Sequence, residues 1–289
     1  MHIHESTQRS FETYKTAWCP GCGNFAIQKV LNETLAELGK DPHKVLLAAG
    51  IGQAAKTPQY TSANRFCGLH GRSLPAATGA KIANDELTVI INTGDGDSFG
   101  EGGNHFMAAV RRNINLVHIA HDNQVYGLTK GQASPTAPKG QVTSVQTEGV
   151  TMTQFNPVLN AIALGAGFVA RTFSGDPEQF RTILKEAIEY DGYALIDIFQ
   201  PCVSFNKINT FQWYKERVRP VGEDYDPSDY ELALKTASIF SDDGIPTGII
   251  YKKEKDSFSK QNKILTNGKL LKDQGASLEF LQSQNEAFS

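Results

Sequence analysis

Glycines and carboxylates alternate in a short stretch that directly follows an apolar run. The stretch TGDGDSFGEGG covers residues 93–103, and it comes after LTVIIN at residues 87–92. Glycine lets the backbone approach a bulky ligand closely, whereas Asp95 and Asp97 repel each other unless a cation or a polar ligand compensates. Because both features stand at the end of a strand-like segment, the stretch predicts a ligand site.

A second polar loop follows the next strand-like segment of the sequence. HDNQVYG covers residues 121–127, and a predicted helix from about Glu101 to Arg112 separates it from the first stretch. Because the ends of parallel strands meet at one edge of a sheet, Asp95 and Asn123 are expected to lie close together. Their oxygens, with a backbone carbonyl, suit Mg²⁺, and glycine N–H groups at a helix start suit phosphate. The two loops together predict a magnesium diphosphate site, whereas either loop alone is also typical of an ordinary turn.

Four cysteines form a second candidate centre. Cys19 and Cys22 make a CxxC turn at a helix start, Cys67 lies in FCGLHGR, and Cys202 lies in PCVSFN after the last strand of the cofactor-binding pattern. Four converging thiolates would hold zinc or a [4Fe–4S] cluster. The alternatives are a thioredoxin-like redox pair for the CxxC turn, and inert core residues for the two isolated cysteines.

Three cations complete the set of candidate site residues. Lys56 lies in GIGQAAK, and His70 and Arg72 lie in GLHGR. A cation would suit the carboxylate of an acidic substrate. The alternative for each residue taken alone is a solvated charge on a loop.

The elements that must position these residues follow a repeating order. Short apolar runs such as KVLLAAG, LTVIIN and YALIDIF are typical of strands buried on both faces, and NFAIQKVLNETLAELG and PEQFRTILKEAIEY are typical of amphipathic helices. Gly39 is expected to end the first of these helices, and Asp176 to cap the second. The alternation predicts an α/β fold with a doubly wound, mostly parallel sheet, in which ligands sit beyond the carboxyl ends of the strands.

The composition of the chain changes near residue 220. Residues 1–220 carry the alternating pattern and the cysteines, and they form the predicted cofactor-binding domain. Residues 221–289 contain the helix-like SDYELALKTASIF, the strand-like GIPTGIIYKK and a polar end. We therefore predict a C-terminal extension of helix, strand and peripheral tail.

Composition and charge disfavour several other classes of protein. The 289 residues are 40% hydrophobic and 20% charged with a net charge of -3, which indicates a globular protein without a strong attraction for nucleic acid. No signal peptide or membrane-spanning run is recognisable, so we expect a cytoplasmic protein that binds no membrane. Neither G-x-G-x-x-G after the apolar run nor a P-loop pattern occurs, which disfavours nicotinamide dinucleotide and P-loop nucleotide sites.

Several motifs together resemble one family of enzyme subunits. WCPGCG, GLHGR, GDGD, VYGLTKGQASPT and PCVSFNKINTFQWYKERV are similar to the β subunit of 2-oxoacid:ferredoxin oxidoreductases, over about residues 12–252. The resemblance implies the diphosphate-half fold of thiamine diphosphate enzymes, with Mg²⁺ held by Asp95, Asn123 and the backbone of Val125. It further implies that the cofactor is surrounded by Gly94, Asp95, Gly96, Asp97, Asn123, Val125, Gly127, Leu128 and Thr129.

The resemblance also assigns the cysteines, with one departure. The family uses a [4Fe–4S] cluster, and Cys19, Cys22 and Cys202 match its ligand positions. Where many members have GIGC, this sequence has Gln53 after GIG, so the usual third thiolate is missing. Either Cys67 replaces it, or the cluster has three thiolates and is more labile, or no cluster is carried.

The family's reaction and partners are the remaining implications. By resemblance the chain is one subunit of a hetero-oligomer that converts a 2-oxoacid and coenzyme A to acyl-CoA and CO₂, with electrons passing to ferredoxin. Lys56 matches the position near the substrate carboxylate and favours 2-oxoglutarate over pyruvate or branched-chain 2-oxoacids, while His70 and Arg72 border the cofactor's phosphate end. No segment resembles the half that binds the aminopyrimidine ring, which implies a separate α subunit.

Two alternative functions stay open on the sequence alone. A subunit of a non-oxidative thiamine diphosphate decarboxylase or synthase would need no cluster, and the four cysteines disfavour it. A non-catalytic iron–sulfur or zinc electron-transfer module would bind no thiamine diphosphate, and in it the glycine loops would be turns only.

Overall fold

An eight-stranded sheet forms the centre of the chain. The computed structural model describes residues 11–262, residue 265 and residues 277–287. The strands are β1 (Val45–Ala49), β2 (Asn64–Cys67), β3 (Thr88–Gly94), β4 (Leu116–Asp122), β5 (Val125–Tyr126), β6 (Gln132–Ala133), β7 (Phe168–Phe173), β8 (Tyr193–Phe199), β9 (Val218–Pro220) and β10 (Ile245–Lys252). The sheet order is β2-β1-β3-β4-β8-β7-β10-β9, and β5 and β6 form a separate pair.

Helices cover both faces of this sheet. They are α1 (Asn24–Glu37), α2 (Ser73–Ala83), α3 (Gly103–Arg112), α4 (Pro157–Ala163), α5 (Pro177–Glu189), α6 (Phe211–Arg217), α7 (Tyr230–Ser238), α8 (Phe258–Gln261) and α9 (Leu278–Ala287). One apolar core joins α1 and α5 to the sheet, and a second core joins α2, α3, α4 and α7 to its other face. In the described part of the chain no helix is long and apolar enough to cross a membrane.

The predicted α/β class and the mostly parallel sheet are confirmed. Every pair in the large sheet is parallel except β7 with β10. Strands β4 and β8 are buried along their whole length. Burial on both faces is the reason that these segments are apolar without the alternation of a half-exposed strand.

Strand register brings the two polar loops to the same edge. Gly94 of β3 pairs with His121 of β4, and Asp122 of β4 pairs with Phe199 of β8. Strand β1 leads outward to the edge strand β2, and the chain returns on the other side of β1 to form β3. The crevice at such a reversal is where open α/β sheets bind ligands.

Local signals set the ends of the helices. Gly39 takes a φ of +63°, and α1 ends two residues before it. The Asp176 side chain accepts a hydrogen bond from the Gln179 N–H at 3.0 Å, which confirms the predicted cap of α5. Helix α3 begins at Gly103, two residues after its predicted start, because residues 96–101 form a wider π-helical turn. Such turns are frequent at functional sites.

The segment beyond residue 220 contributes to the same sheet. Strand β10 pairs with β7 on one side and β9 on the other, and Tyr251 belongs to the core that includes α4 and α7. The division into residues 1–220 and 221–289 stays a prediction. Residues 1–10, where a targeting signal was sought, and most of the polar end lie outside the described residues.

Two fully buried histidines stand on β4. His118 contacts the hydroxyl groups of Thr93 and Tyr193 at 2.9 and 2.7 Å, and His121 lies 2.8 Å from the Asn24 side-chain oxygen. Burial lowers the pKa of each imidazole to about 3. Both rings are therefore neutral at physiological pH and act as hydrogen-bonded core residues.

These histidines predict a loss of stability in acid. The unfolded chain takes up their protons below its usual histidine pKa, near 6.5, while the folded chain does not, so stability falls as the pH drops from there toward 3. At pH 5 the loss is about 2 kcal/mol per histidine. We expect His118→Gln to lose less stability than wild type between pH 7 and pH 5, by about that amount, in urea unfolding.

The comparison between variant and wild type is needed because a buried carboxylate acts in the opposite sense. Burial raises the pKa of Asp197 to about 7, so its protonation in the folded state stabilises the fold as the pH falls. This contribution is common to wild type and His118→Gln and cancels in the difference. An equal loss of stability in both proteins would contradict the prediction.

Candidate active site

A cleft lies at the carboxyl edge of β1, β3 and β4. Loops from all three strands line it, and it contains every residue that the sequence assigned to the cofactor. The lining residues are Ile51, Gly52, Gln53, Ala54, His70, Gly94, Asp95, Gly96, Asp97, Asn123, Val125, Tyr126, Gly127, Leu128 and Thr129. The fold thus brings the two predicted loops together, and their role in binding a cofactor stays a prediction.

Asp95 is the most constrained side chain of the cleft. It is 1% exposed, and its Oδ2 accepts hydrogen bonds from the Gln124 N–H at 3.0 Å and from the hydroxyl groups of Ser134 and Thr136, each at 2.5 Å. Burial raises the pKa of Asp95, and these hydroxyl donors act against that rise. The donors therefore orient one carboxylate oxygen and favour the charged form.

A second carboxylate stands directly behind Asp95. Burial, together with the charges of Asp197 and Asp95, raises the pKa of Asp122 well above its usual range. The Thr136 hydroxyl group also lies 2.7 Å from Asp122 Oδ1. Because two adjacent buried carboxylates cannot both ionise at low cost, Asp122 holds the proton and Asp95 carries the charge.

The loop after β4 supplies further oxygen atoms. Gln124 takes a left-handed φ of +63°, which turns its N–H toward Asp95, and the Val125 N–H donates to Asn123 Oδ1 at 3.1 Å. One carboxylate, one amide and one carbonyl are hard donors that fit Mg²⁺ with part of its shell left for phosphate oxygens. Among the described residues no group of three or more His, Cys, Asp or Glu side chains is placed to hold a single metal ion.

Two glycines are required by the packing of Tyr126. A Cβ at Gly96 would overlap the Tyr126 ring, and one at Gly100 would overlap its hydroxyl group. That hydroxyl group donates to Glu101 Oε2 at 3.2 Å. The Tyr126 ring therefore packs directly on the backbone of the glycine turn, and only glycine permits so close an approach of the ring to that backbone.

Three of the four cysteines lie together near the cleft. Burial raises the pKa of Cys22 to about 11, and the neighbouring Cys202 and Cys19 act in the same direction. A Cβ at Gly127, in the cleft, would stand 3.8 Å from the Cys202 sulfur. Cys67 ends the edge strand β2, is exposed, and lies 3.9 Å from the Gln59 side-chain nitrogen.

Comparison with known proteins decides the family. Residues 43–198 match the model described as "Thiamine pyrophosphate enzyme, C-terminal TPP binding domain", and residues 202–267 match the model of the C-terminal part of the pyruvate ferredoxin oxidoreductase β subunit. A 2-oxoacid:ferredoxin oxidoreductase subunit beta from Aeropyrum pernix is 41% identical over 268 residues, which cover 88% of this chain and 87% of the relative. The chain belongs to the family of 2-oxoacid:ferredoxin oxidoreductase β subunits.

Two further relatives bear names that specify a substrate. A 2-oxoglutarate synthase subunit KorB from Archaeoglobus fulgidus is 34% identical over 197 residues, or 68% of this chain and 73% of the relative. The solved 2-oxoglutarate:ferredoxin oxidoreductase from Magnetococcus marinus, with 2-oxoglutarate, coenzyme A and succinyl-CoA bound, contains a chain with a TM-score of 0.88 and 34% identity. That match covers 97% of the β subunit described above and 94% of the solved chain. The predicted fold and family are thereby confirmed.

The three predicted cations of this β subunit occupy different places. His70 lines the cleft, whereas Lys56 lies in a 3-10 helix at Ala54–Tyr60, two residues beyond the last lining residue of that segment. Arg72 is turned to the side chain of His105 on α3. The roles of these cations in catalysis stay predictions.

Sequence reasoning missed the residues that hold the predicted ligands in place. Ser134 and Thr136 orient Asp95, and Tyr126 covers the glycine turn. Ser134 and Thr136 follow β6 and fall within the VYGLTKGQASPT motif, but nothing in that motif assigns them to Asp95. Their role follows from the loop folding back to Asp95, which periodicity cannot reveal.

Asp97 joins two loops that border the cleft. Its Oδ1 accepts hydrogen bonds from the Ile51 N–H at 3.1 Å and the Gly71 N–H at 2.7 Å, and His70 Nδ1 lies 2.9 Å away. A Cβ at Gly50 would overlap the Asp97 carboxylate. Burial raises the pKa of Asp97, and the two backbone donors act against the rise. The side chain thus anchors the loops that follow β1 and β2.

We predict that anchoring, rather than charge, is what Asp97 contributes. Asp97→Ala removes the shared acceptor and should weaken cofactor binding roughly 10- to 100-fold, since hydrogen bonds to a charged group contribute about 1.5–3 kcal/mol. Asp97→Asn keeps Oδ1 and should weaken binding by less than about tenfold. Titration calorimetry of thiamine diphosphate at saturating Mg²⁺ measures both. Equal losses in the two variants would show that the negative charge is the essential feature.

Proposed function

We propose that this β subunit binds thiamine diphosphate through Mg²⁺ and acts in the oxidative decarboxylation of a 2-oxoacid to acyl-CoA and CO₂, with electrons leaving to ferredoxin. The observation that carries the proposal is the oxygen set of Asp95, Asn123 and Val125 beside the glycine turn. Those oxygens suit Mg²⁺, and the glycine backbone suits a diphosphate. The family membership of the chain supports the same assignment.

Each residue of the cleft has a distinct task in this proposal. Asp95, Asn123 and the Val125 carbonyl would hold Mg²⁺. The diphosphate would be surrounded by Gly94, Gly96, Asp97, Gly127, Leu128 and Thr129. When bound, thiamine diphosphate supplies the carbanion chemistry that makes loss of CO₂ possible. The protein contributes placement: Asp122 retains a proton behind Asp95, so the carboxylate that faces the cleft stays anionic.

The proposal includes an α subunit at the mouth of the cleft. The relatives are named as β subunits, a name that implies a partner subunit. Large apolar side chains are exposed around the cleft: Leu69 is 77% exposed, Leu128 41% and Ile51 39%. Exposed apolar groups beside a site mark a surface that a partner covers. A cytoplasmic location of the complex stays a prediction.

The preferred substrate in this proposal is 2-oxoglutarate, with coenzyme A as acyl acceptor. A relative named for 2-oxoglutarate and the solved structure with bound 2-oxoglutarate and succinyl-CoA support it. Lys56, two residues beyond the last lining residue of its segment, would attract the carboxylate of the substrate.

The first test addresses cofactor binding. Asp95→Ala in the αβ complex should lower the affinity for thiamine diphosphate at fixed Mg²⁺ about 100-fold or more, because loss even of an outer-shell partner costs 10–100-fold. Asp122→Asn keeps a neutral side chain at that position and should stay within about tenfold of wild type. Calorimetry gives the affinities, and circular dichroism checks the fold. An Asp95→Ala complex with unchanged Mg²⁺-dependent affinity would refute the assignment, and it is the result expected of a module that binds no thiamine diphosphate.

A second test addresses the substrate. Lys56→Ala should raise the KM for 2-oxoglutarate roughly tenfold while leaving thiamine diphosphate affinity unchanged, since an exposed charge pair contributes about 1 kcal/mol or somewhat more when partly desolvated. Lys56→Arg should restore most of the loss. Steady-state kinetics with 2-oxoglutarate and pyruvate in parallel measure the effect. A change in kcat alone would indicate that Lys56 does not contact the substrate carboxylate.

A further inference from the structure

Three thiols, not four, form the cysteine site of this β subunit. Cys22 is close enough to Cys19 and Cys202 for their charges to raise its pKa. The Gln200 amide donates to the Cys22 sulfur at 3.4 Å, and the Ser204 hydroxyl group donates to the Cys19 sulfur at 3.2 Å. These donors supply the hydrogen bonds that stabilise sulfur ligands of iron–sulfur clusters.

Cys67 belongs to another part of the surface. It lies on the edge strand β2, where its backbone pairs with Ala49, and its neighbour is the Gln59 amide rather than another thiol. The next residue continues this pairing, because the Gly68 N–H donates to the Ala49 carbonyl. The strand pairing therefore fixes Cys67 at the end of β2, where it contacts none of the other three cysteines.

Gln53 is hydrogen-bonded through its backbone to the segment that carries Cys19. The Trp18 indole N–H, one residue before Cys19, donates to the Gln53 carbonyl at 2.8 Å. The side-chain Oε1 of Gln53 is buried, and no hydrogen-bond partner for it occurs in the described part of the chain. A buried polar atom without a partner is costly unless something absent from the protein chain satisfies it.

We propose that Cys19, Cys22 and Cys202 bind a [4Fe–4S] cluster with three thiolates, and that its fourth iron faces Gln53 and not Cys67. The inference rests on the proposed function, because it assigns the electron exit of that reaction. A cluster spreads its ligands over the corners of a cube, farther apart than the ligands of one ion. Such a site is compatible with the absence of a single-ion site among the described residues.

Two chemical consequences follow from a non-thiolate corner. Replacing a thiolate by a neutral ligand removes one negative charge, so the reduction potential rises. The fourth iron is also easier to remove. A one-electron oxidant takes an electron from [4Fe–4S]²⁺, Fe²⁺ leaves, and [3Fe–4S]⁺ remains on the three cysteines.

The test uses the αβ complex purified without oxygen. Iron and acid-labile sulfide are measured, and EPR spectra are recorded before and after ferricyanide, for wild type, Cys67→Ala, Cys67→Ser, Cys202→Ala and Gln53→Cys. We expect both Cys67 variants to keep the wild-type iron content and to show the [3Fe–4S]⁺ signal after oxidation. Cys202→Ala should lose the cluster. The cluster of Gln53→Cys should resist the oxidant and show a lower reduction potential. If Gln53→Cys does not fold, the two Cys67 variants still test the proposal.

Other outcomes overturn the proposal in distinguishable ways. Loss of the cluster in both Cys67 variants, with thiamine diphosphate affinity unchanged, would make Cys67 the fourth ligand and leave the proposed function standing. A wild-type cluster that yields no [3Fe–4S]⁺ would also refute three-thiolate ligation. A complex without iron that still binds thiamine diphosphate would refute the cluster and favour a non-oxidative enzyme. Failure to bind thiamine diphosphate would refute the proposed function itself.

Discussion

The cleft depends on the burial of the Asp95 carboxylate. A charged group taken out of water is destabilising unless donors surround it, and the donors here come from segments far apart in the chain. The Gln124 N–H belongs to the loop after β4, and Ser134 and Thr136 to the loop that returns over the cleft. If any of these segments moved, the carboxylate would lose a partner. The same contacts that stabilise Asp95 therefore hold the segments around the predicted cofactor in register.

Asp97 extends this arrangement to the other side of the cleft. Its carboxylate is shared by the loops after β1 and β2, so two carboxylates in one turn have opposite tasks. Asp95 offers an oxygen to the cleft, while Asp97 binds the backbone of the protein. This division explains how two acids in one turn can be accommodated beside the predicted diphosphate: donors offset the charge of one, and neighbouring backbone amides bind the other. The close packing of Tyr126 on Gly96 then leaves little freedom to the turn between them.

Much of the fold was predictable because its signals are local. The apolar run before GDGD marks β3, and Asp176 caps α5 through a side chain three residues from its donor. The start of α3 was misplaced because a π-helical turn differs from an α-helix by hydrogen-bond spacing, which glycine content does not encode. Nothing local indicated that Ser134 and Thr136 would serve Asp95. Likewise, the family resemblance matched Cys202 to a ligand position and left the role of Cys67 open, and the strand pairing then placed Cys67 at the end of β2.

The sequence by itself determined the class of the fold, the two loops at the sheet edge and the family, because burial periodicity, glycine turns and motif combinations are properties of consecutive residues. The tertiary structure decided which of those residues meet. It brought all the predicted cofactor residues into one cleft and left Lys56 and Arg72 outside the lining of that cleft. It also placed the Asp97 carboxylate where it anchors two loops. Those outcomes depend on strand order and on loops that fold back over the sheet. Contacts of that kind join residues far apart in the chain, and no single segment specifies them.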